Sequence, residues 1–280
     1  AKGYSSKEEA LADTAYYNWP VIVKPVDSAG SKGVTRVDEL GQLSSAIDYA
    51  LSESHNGHFI IEDFLEKEGN SSDCDSFTVD GELVFCSFND QHFDPKAINP
   101  YTPAAFSWPS TMPQWAQEEL RSELQRLITL LNVKKGVYNI ETRLCKNGKP
   151  YIMELAPRGG GNRLSEMMKY ISGQDLIDNC VRAAVGDSID EIHQPDYDGY
   201  WAEIILHSER DGVFQSIEID KTVEERFLIE KDIWVKTGDK VHGFTGANTT
   251  IGTLVLRFNT NEEMTCCLSN QETWFKIIVL

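Results

Sequence analysis

The stretch GVYNIETRLCKNGKPYIMELAPR, residues 136–158, constrains the fold more than any other part of this 280-residue chain. Two runs of alternating apolar and polar residues flank Asn147-Gly148, a pair that favours a two-residue hairpin turn. Counting outward from that turn, Lys146 faces Lys149 and Glu141 lands opposite Glu154, on one face of the hairpin. Cross-strand partners have Cβ atoms about 4.5–5.5 Å apart, where like charges destabilise. At an effective dielectric near 20, two unit charges about 5 Å apart repel by roughly 3 kcal/mol. A cation removes that repulsion, and Mg²⁺ prefers carboxylate oxygens. Asn139 and Arg143 flank Glu141 on this face, and Arg158 follows Glu154. Carboxylates for a metal with an arginine beside them suit a polyphosphate nucleotide. The alternative is a solvated face on which Arg143 neutralises the pair, while Ile140, Leu144, Met153 and Leu155 fill the other face.

A second segment, PVIVKPVDSAGSKGV at residues 20–34, sets Lys24 inside an apolar strand. An ammonium there needs an anion or a water-facing end. The loop after it carries Ser28, Gly30, Ser31 and Gly33, whose backbone N–H groups and hydroxyls can turn toward a bound anion. An ordinary glycine turn with a snorkelling lysine is the other reading. G-x-x-x-x-G-K-[ST] is absent, so this is not a P-loop. A third segment, FIIEDFLE at 59–66, reads as a strand end, or as a hinge whose main chain meets an adenine.

The rest of the chain alternates strand-like and helical patterns, which argues a mixed α and β architecture. Val21–Val23 and Phe59–Ile61 read as buried strands, and Leu40–Leu51 as a helix capped by Asp38. Asp80-Gly81 marks a hairpin between Ser76–Val79 and Glu82–Phe88. From Phe93 to Trp115 prolines at 95, 100, 103, 109 and 113 break the pattern, and a long loop is expected, either a packed surface arm or substrate-facing. Leu120–Leu131 reads as an amphipathic helix, a helical stretch runs to about Val185, and Pro195–Gly199 looks like a linker. Tyr200–His207, Val213–Ile219, Thr253–Phe258 and Trp274–Leu280 read as the strands of a C-terminal α+β unit. His92 and His207 read as polar surface or core-edge residues, and Cys266-Cys267 as packing.

Composition limits the partners. Lys plus Arg number 26 against 44 Asp plus Glu, a formal charge of −18. Such a surface repels phosphate backbones, so nucleic acid is an unsuitable partner and any phosphate site must be a local basic island. No apolar run has membrane-spanning length, and AKGYSSKEEA is no signal peptide. Six cysteines without C-x-x-C spacing suit a reduced, cytoplasmic protein. H-R-D-x-x-x-x-N and D-F-G are absent, which excludes a protein kinase.

Taken in order, a lysine-ended strand with a glycine loop, an E-x-x-apolar hinge, and a hairpin of two carboxylates ending in P-R resemble the ATP-grasp superfamily over residues 7 to 185. The resemblance implies an α+β ATP-grasp fold whose two lobes clasp the nucleotide. A small lobe is expected at 1–66, a large lobe with the metal hairpin at 67–190, and a C-terminal α+β domain at 191–280. It implies ATP and Mg²⁺ (or Mn²⁺ in its place) as cofactors, and a ligase that joins a small-molecule carboxylate to an amine through an acyl phosphate. By motif position, Lys24 contacts the phosphates and Ser28, Gly30, Ser31 and Gly33 close over them. Glu62 and Phe64 hold the adenine, and Glu68 or Asp75 the ribose. Glu141 and Glu154 bind Mg²⁺, and Arg158 stands by the transferred phosphoryl group, with Lys24 as the other catalytic cation.

Three departures accompany the resemblance. ELAPR carries Ala156 where the family's E-x-N-P-R has an asparagine that often completes a second metal site; Asn139 and Asn162 are candidate oxygen donors. The ribose residue is ambiguous. The family's preceding domain is also missing, so a homodimer or a separate N-terminal domain is an expected partner. The GGGNRLSE that follows the arginine stands where biotin carboxylases carry Q-V-E-H, and ELAPRGGG looks most like amino-acid ligases and carbamoyl phosphate synthase large subunits. A nucleotide-binding subunit or sensor without catalysis is the rival expectation.

Overall fold

A computed structural model describes residues 1–28, 32–194 and 196–280. The chain forms two compact units, Ala1–Glu66 and Lys67–Leu280. Among the described residues no helix is long and apolar enough to cross a membrane.

The first unit contains β1 (Lys2–Tyr4), α1 (Lys7–Ala12), β2 (Val21–Pro25), β3 (Thr35–Val37), α2 (Leu40–Glu53) and β4 (Phe59–Asp63). Its antiparallel sheet has the order β1-β4-β2-β3. Alternation decides the packing: Val21, Val23, Phe59 and Ile61 are buried with Leu43, Ile47 and Ala50 of α2. Lys24 and Glu62 belong to the opposite face, with Ile22 and Ile60 as their register partners. The N-cap of α2 is Glu39 rather than the expected Asp38. Asp38 instead accepts from Arg36, and its N–H donates to Gln42 Oε1, so Gln42 reaches back over the helix start.

The second unit runs β5 (Lys67–Val79), β6 (Glu82–Cys86), β7 (Asp90–Phe93), β8 (Pro103–Trp108), α3 (Gln114–Leu130), β9 (Gly136–Cys145), β10 (Pro150–Ala156), α4 (Leu164–Ser172) and α5 (Leu176–Val185). It continues with β11 (Tyr200–Leu206), β12 (Gly212–Ile219), α6 (Lys221–Phe227), β13 (Leu228–Ile233), β14 (Lys240–Val241), β15 (Gly252–Phe258), α7 (Asn261–Ser269), α8 (Gln271–Trp274) and β16 (Phe275–Val279). One sheet has the order β10-β9-β5-β6, a second β13-β15-β11-β8-β7 and a third β14-β12-β16. Of the strands read from 191–280, β11 and β15 therefore share a sheet with β7 and β8, while β12 and β16 pair with each other in the third sheet.

The proline-rich segment corrects the expected long loop. Pro103–Trp108 is an inner strand between β7 and β11, with Phe106 and Trp108 wholly buried. Pro103 opens the strand and Pro109 follows its last residue, so neither removes a ladder hydrogen bond from its middle. Pro195, part of the expected linker, lies outside the described residues.

Candidate active site

In the first unit, Lys24 and Glu62 form an ion pair on the face of the sheet away from α2. The loop after β2 is held at both described ends. Asp27 accepts from Ser54 Oγ at 2.8 Å, His55 N at 3.0 Å and Asn56 N at 2.7 Å. Gly33 has φ +73°, and a Cβ there would stand 3.0 Å from both Glu53 Cβ and Pro25 Cδ, so only glycine fits. Ser28 is half-buried, whereas Gly30 and Ser31 lie outside the described residues. Phe64 carries the Arg36 guanidinium over its ring at 4.4 Å. Its N–H donates to Pro20 O at 3.0 Å, which takes up one of the main-chain donors a hinge would offer.

In the second unit the hairpin places Glu141 opposite Glu154 and Asn139 opposite Ala156. The route differs from the expected one. Cys145 N donates to Lys149 O, and Gly148 has φ +74°, so the turn is a three-residue loop with glycine in the left-handed position. Tyr151 therefore pairs with Arg143 and Ile152 with Thr142, until a bulge between Ile152 and Glu154 restores the outer register. Met153 is the extra residue, and Ile152 takes its expected place in the core beside Ile140, Leu144 and Leu155.

β5 adds a residue that local sequence spacing could not reveal. Asp73 pairs with Glu141, so Asp73, Glu141 and Glu154 form one row across three strands, and Asp75, Asn139 and Ala156 form the next. Burial, and then the negative charge of Glu141, pushes the Asp73 carboxyl up to about 7, against the hydrogen bond from Asn139. Burial also raises Asp75, opposed by bonds from Ser165, Gly160 N and Asn139. Asp75 is therefore deeply engaged within its own unit, while Glu68, the other ribose candidate, is exposed at the start of β5. Arg143 donates to Ser71 Oγ at 3.0 Å, and its burial lowers its affinity for a proton.

The glycine loop after β10 is built onto these rows. Gly160 N donates to Asp75 Oδ1 at 2.8 Å. A Cβ on Gly160 would come within 2.6 Å of Asn139 Nδ2 and 2.5 Å of Leu164 Cδ1. Arg158, exposed at the loop's start, donates to Gly159 O and lies in the field of Asp73 and Asp75. At the loop's end Arg163, with φ 62°, pairs with Glu166 and Glu230 and donates to Thr253 Oγ1. Asn162 shares that left-handed conformation, at φ 51°.

Among the described residues no three Asp, Glu, His or Cys side chains converge into a ready metal cage. Mg²⁺ commonly takes one or two carboxylates and completes its shell with water and phosphate oxygens. An opposed carboxylate pair with a third carboxylate, Asp73, in the same row offers the oxygens a divalent cation takes.

Residues 17–166 match the family model described as an ATP-grasp domain. The carbamoyl phosphate synthase large chain, C-terminal section, of Aquifex aeolicus is 27% identical over 188 residues, covering 67% of this chain and 34% of that protein. The carbamoyl phosphate synthase large chain of Halomonas eurihalina is 25% identical over 211 residues, covering 75% of this chain and 18% of that one. The chain thus spans about a third or less of the length of these relatives. The crystal structure of the L-amino acid ligase from Bacillus licheniformis is similar in fold, with a TM-score of 0.77 at 19% identity over 96% of this chain and 66% of that one. The family model covers more than half of the residues, and this chain belongs to the ATP-grasp family.

Proposed function

We propose that this chain is the ATP- and Mg²⁺-dependent core of a ligase that joins a carboxylate to an amine by way of an acyl phosphate. The observation that carries this reading is the opposed pair Glu141 and Glu154, with Arg158 on a glycine loop anchored beside it. When bound, Mg²⁺ supplies neutralisation of phosphate charge. The protein's part is positioning. Lys24 meets the phosphates, with Ser28, Gly30, Ser31 and Gly33 around them, and the Glu62–Phe64 hinge takes the adenine. Glu68, exposed, takes the ribose in preference to Asp75. Glu141 and Glu154 hold the metal, and Arg158 faces the transferred phosphoryl group, where preorganised charge lowers the barrier without a covalent nucleophile.

A coupled ADP-release screen with pairs of amino acids, including hydroxylamine to trap an acyl phosphate as hydroxamate, tests the reading. ADP release and hydroxamate that depend on one carboxylate are the expected result. Mg²⁺–ATP binding without turnover for any pair would favour the nucleotide-binding subunit, the reading that Ala156 motivates.

A further inference from the structure

We propose that Asn139 Oδ1 is a third oxygen ligand for the divalent cation held by Glu141 and Glu154, so that the oxygen comes from β9 and not from the residue facing it on β10. The inference rests on the proposed function of this hairpin. Asn139 and Glu141 are two residues apart on one strand, as are Glu154 and Ala156 on the next, so all four share a face. Asn139 is 8% exposed, and its amide orientation is dictated by its neighbours. Nδ2 donates to Asp73 Oδ1 at 2.5 Å and to Asp75 Oδ1 at 3.2 Å, with Cys74 O at 3.5 Å. These partners are carboxylate and carbonyl oxygens, so the nitrogen belongs on the β5 side.

The planar amide then turns Oδ1 away from β5, toward the β10 side, where Ala156 presents only a methyl group. No donor among the described residues reaches that oxygen. The lone pairs of that oxygen are therefore left for a ligand or for water. A neutral hard oxygen beside two carboxylates suits Mg²⁺ or Mn²⁺. Asp73 and Asp75 act through Asn139: they fix the direction in which its oxygen points, as outer hydrogen bonds do for metal ligands generally. The close fit of Gly160 over Nδ2 locks the same orientation from above.

Mn²⁺ titration of the 280-residue chain, followed by electron paramagnetic resonance with a non-hydrolysable ATP analogue, tests the assignment. Asn139→Ala is expected to weaken Mn²⁺ about tenfold or more, with metal-free nucleotide affinity unchanged. Asn139→Ala combined with Ala156→Asn is expected to restore Mn²⁺ affinity to within about threefold, because the new amide stands directly opposite the lost one. Asn139→Gln, which keeps the amide but displaces its oxygen by a methylene, serves if the alanine variant does not fold, and the same loss is expected. Unchanged Mn²⁺ affinity in the position-139 variants, beside a loss in Glu154→Gln, overturns the assignment and leaves the proposed function standing. A loss that Ala156→Asn fails to restore, with a lowered metal-free melting temperature, makes Asn139 a packing residue and likewise overturns it. Wild-type protein that binds no Mn²⁺ with the nucleotide overturns both.

Discussion

Glu141 of β9 and Glu154 of β10 are register partners on one face of a hairpin, and Asp73 of β5 extends their row from the other side. Three carboxylates side by side are a local excess of negative charge in a protein already at −18. Replacing either glutamate of the pair with glutamine is expected to leave the metal-free protein as stable or to stabilise it by up to ~1 kcal/mol. The same change is expected to remove most of the Mg²⁺-dependent rise in melting temperature with ATP. Melts of wild type and both variants, with and without Mg²⁺–ATP, read this directly. A ligand-induced rise that survives both substitutions would sink the metal assignment.

Lys24 is already paired with Glu62 on the outer face of the first unit. Lys24→Ala is expected to weaken ATP by about tenfold or more, since hydrogen bonds to charged groups contribute ~1.5–3 kcal/mol. Calorimetry measures it, and unchanged affinity removes Lys24 from the site.

Gly160→Ala puts a methyl group where Asn139 Nδ2 and Leu164 Cδ1 leave no room. Overpacking of this kind costs ~1–3 kcal/mol, and the loop it displaces carries Arg158. Turnover is expected to fall far more than the melting temperature, and equal turnover would show that the loop does not position Arg158.

Glu203 on β11 is wholly buried, and neither carboxylate oxygen has a hydrogen-bond partner among the described residues. Its strand partners are Phe106 and Val255. Burial raises its carboxyl well above the ordinary range; Arg163 opposes this, and Glu166 and Glu230 add to it. An acid whose folded value is raised binds its proton more tightly when folded, so its contribution is fully favourable below the unfolded value near 4.5. That contribution is lost as pH rises toward the folded value. Glu203→Gln is therefore expected to melt a few degrees above wild type at pH 7–8, with the gap closing toward pH 4. A gap of constant size across that range would refute the titration.

Much of this architecture is legible in local patterns. Apolar alternation marks β2, β4, β9 and β11, and Asp80 and Gly81 adopt the positive φ angles a tight hairpin requires. Local patterns fail where partners are distant. Asp73 joins the carboxylate row only through the β5–β9 pairing, across more than sixty residues, and nothing near it in sequence signals that register. β8 was hidden because prolines at 103 and 109 read as loop, although they only bound the strand. The placement of Glu141 opposite Glu154 came out as counted because two deviations cancel: a turn one residue longer than assumed, and a bulge of one residue. Phe64, expected at a hinge, donates its N–H to Pro20 O, a pairing that its local sequence does not signal.

The one-residue bulge at Met153 also separates the register of the hairpin tip from that of its base. Because that register shift lies between the turn and the carboxylates, the tip at Lys146–Lys149 is a place to graft a reporter. A fluorophore or short tag there would ride on the strand pair while the acidic row keeps its alignment. An insertion between Met153 and Glu154 would instead slide every side chain beyond it to the opposite face. One hairpin thus offers a tolerant handle and an intolerant hinge a few residues apart.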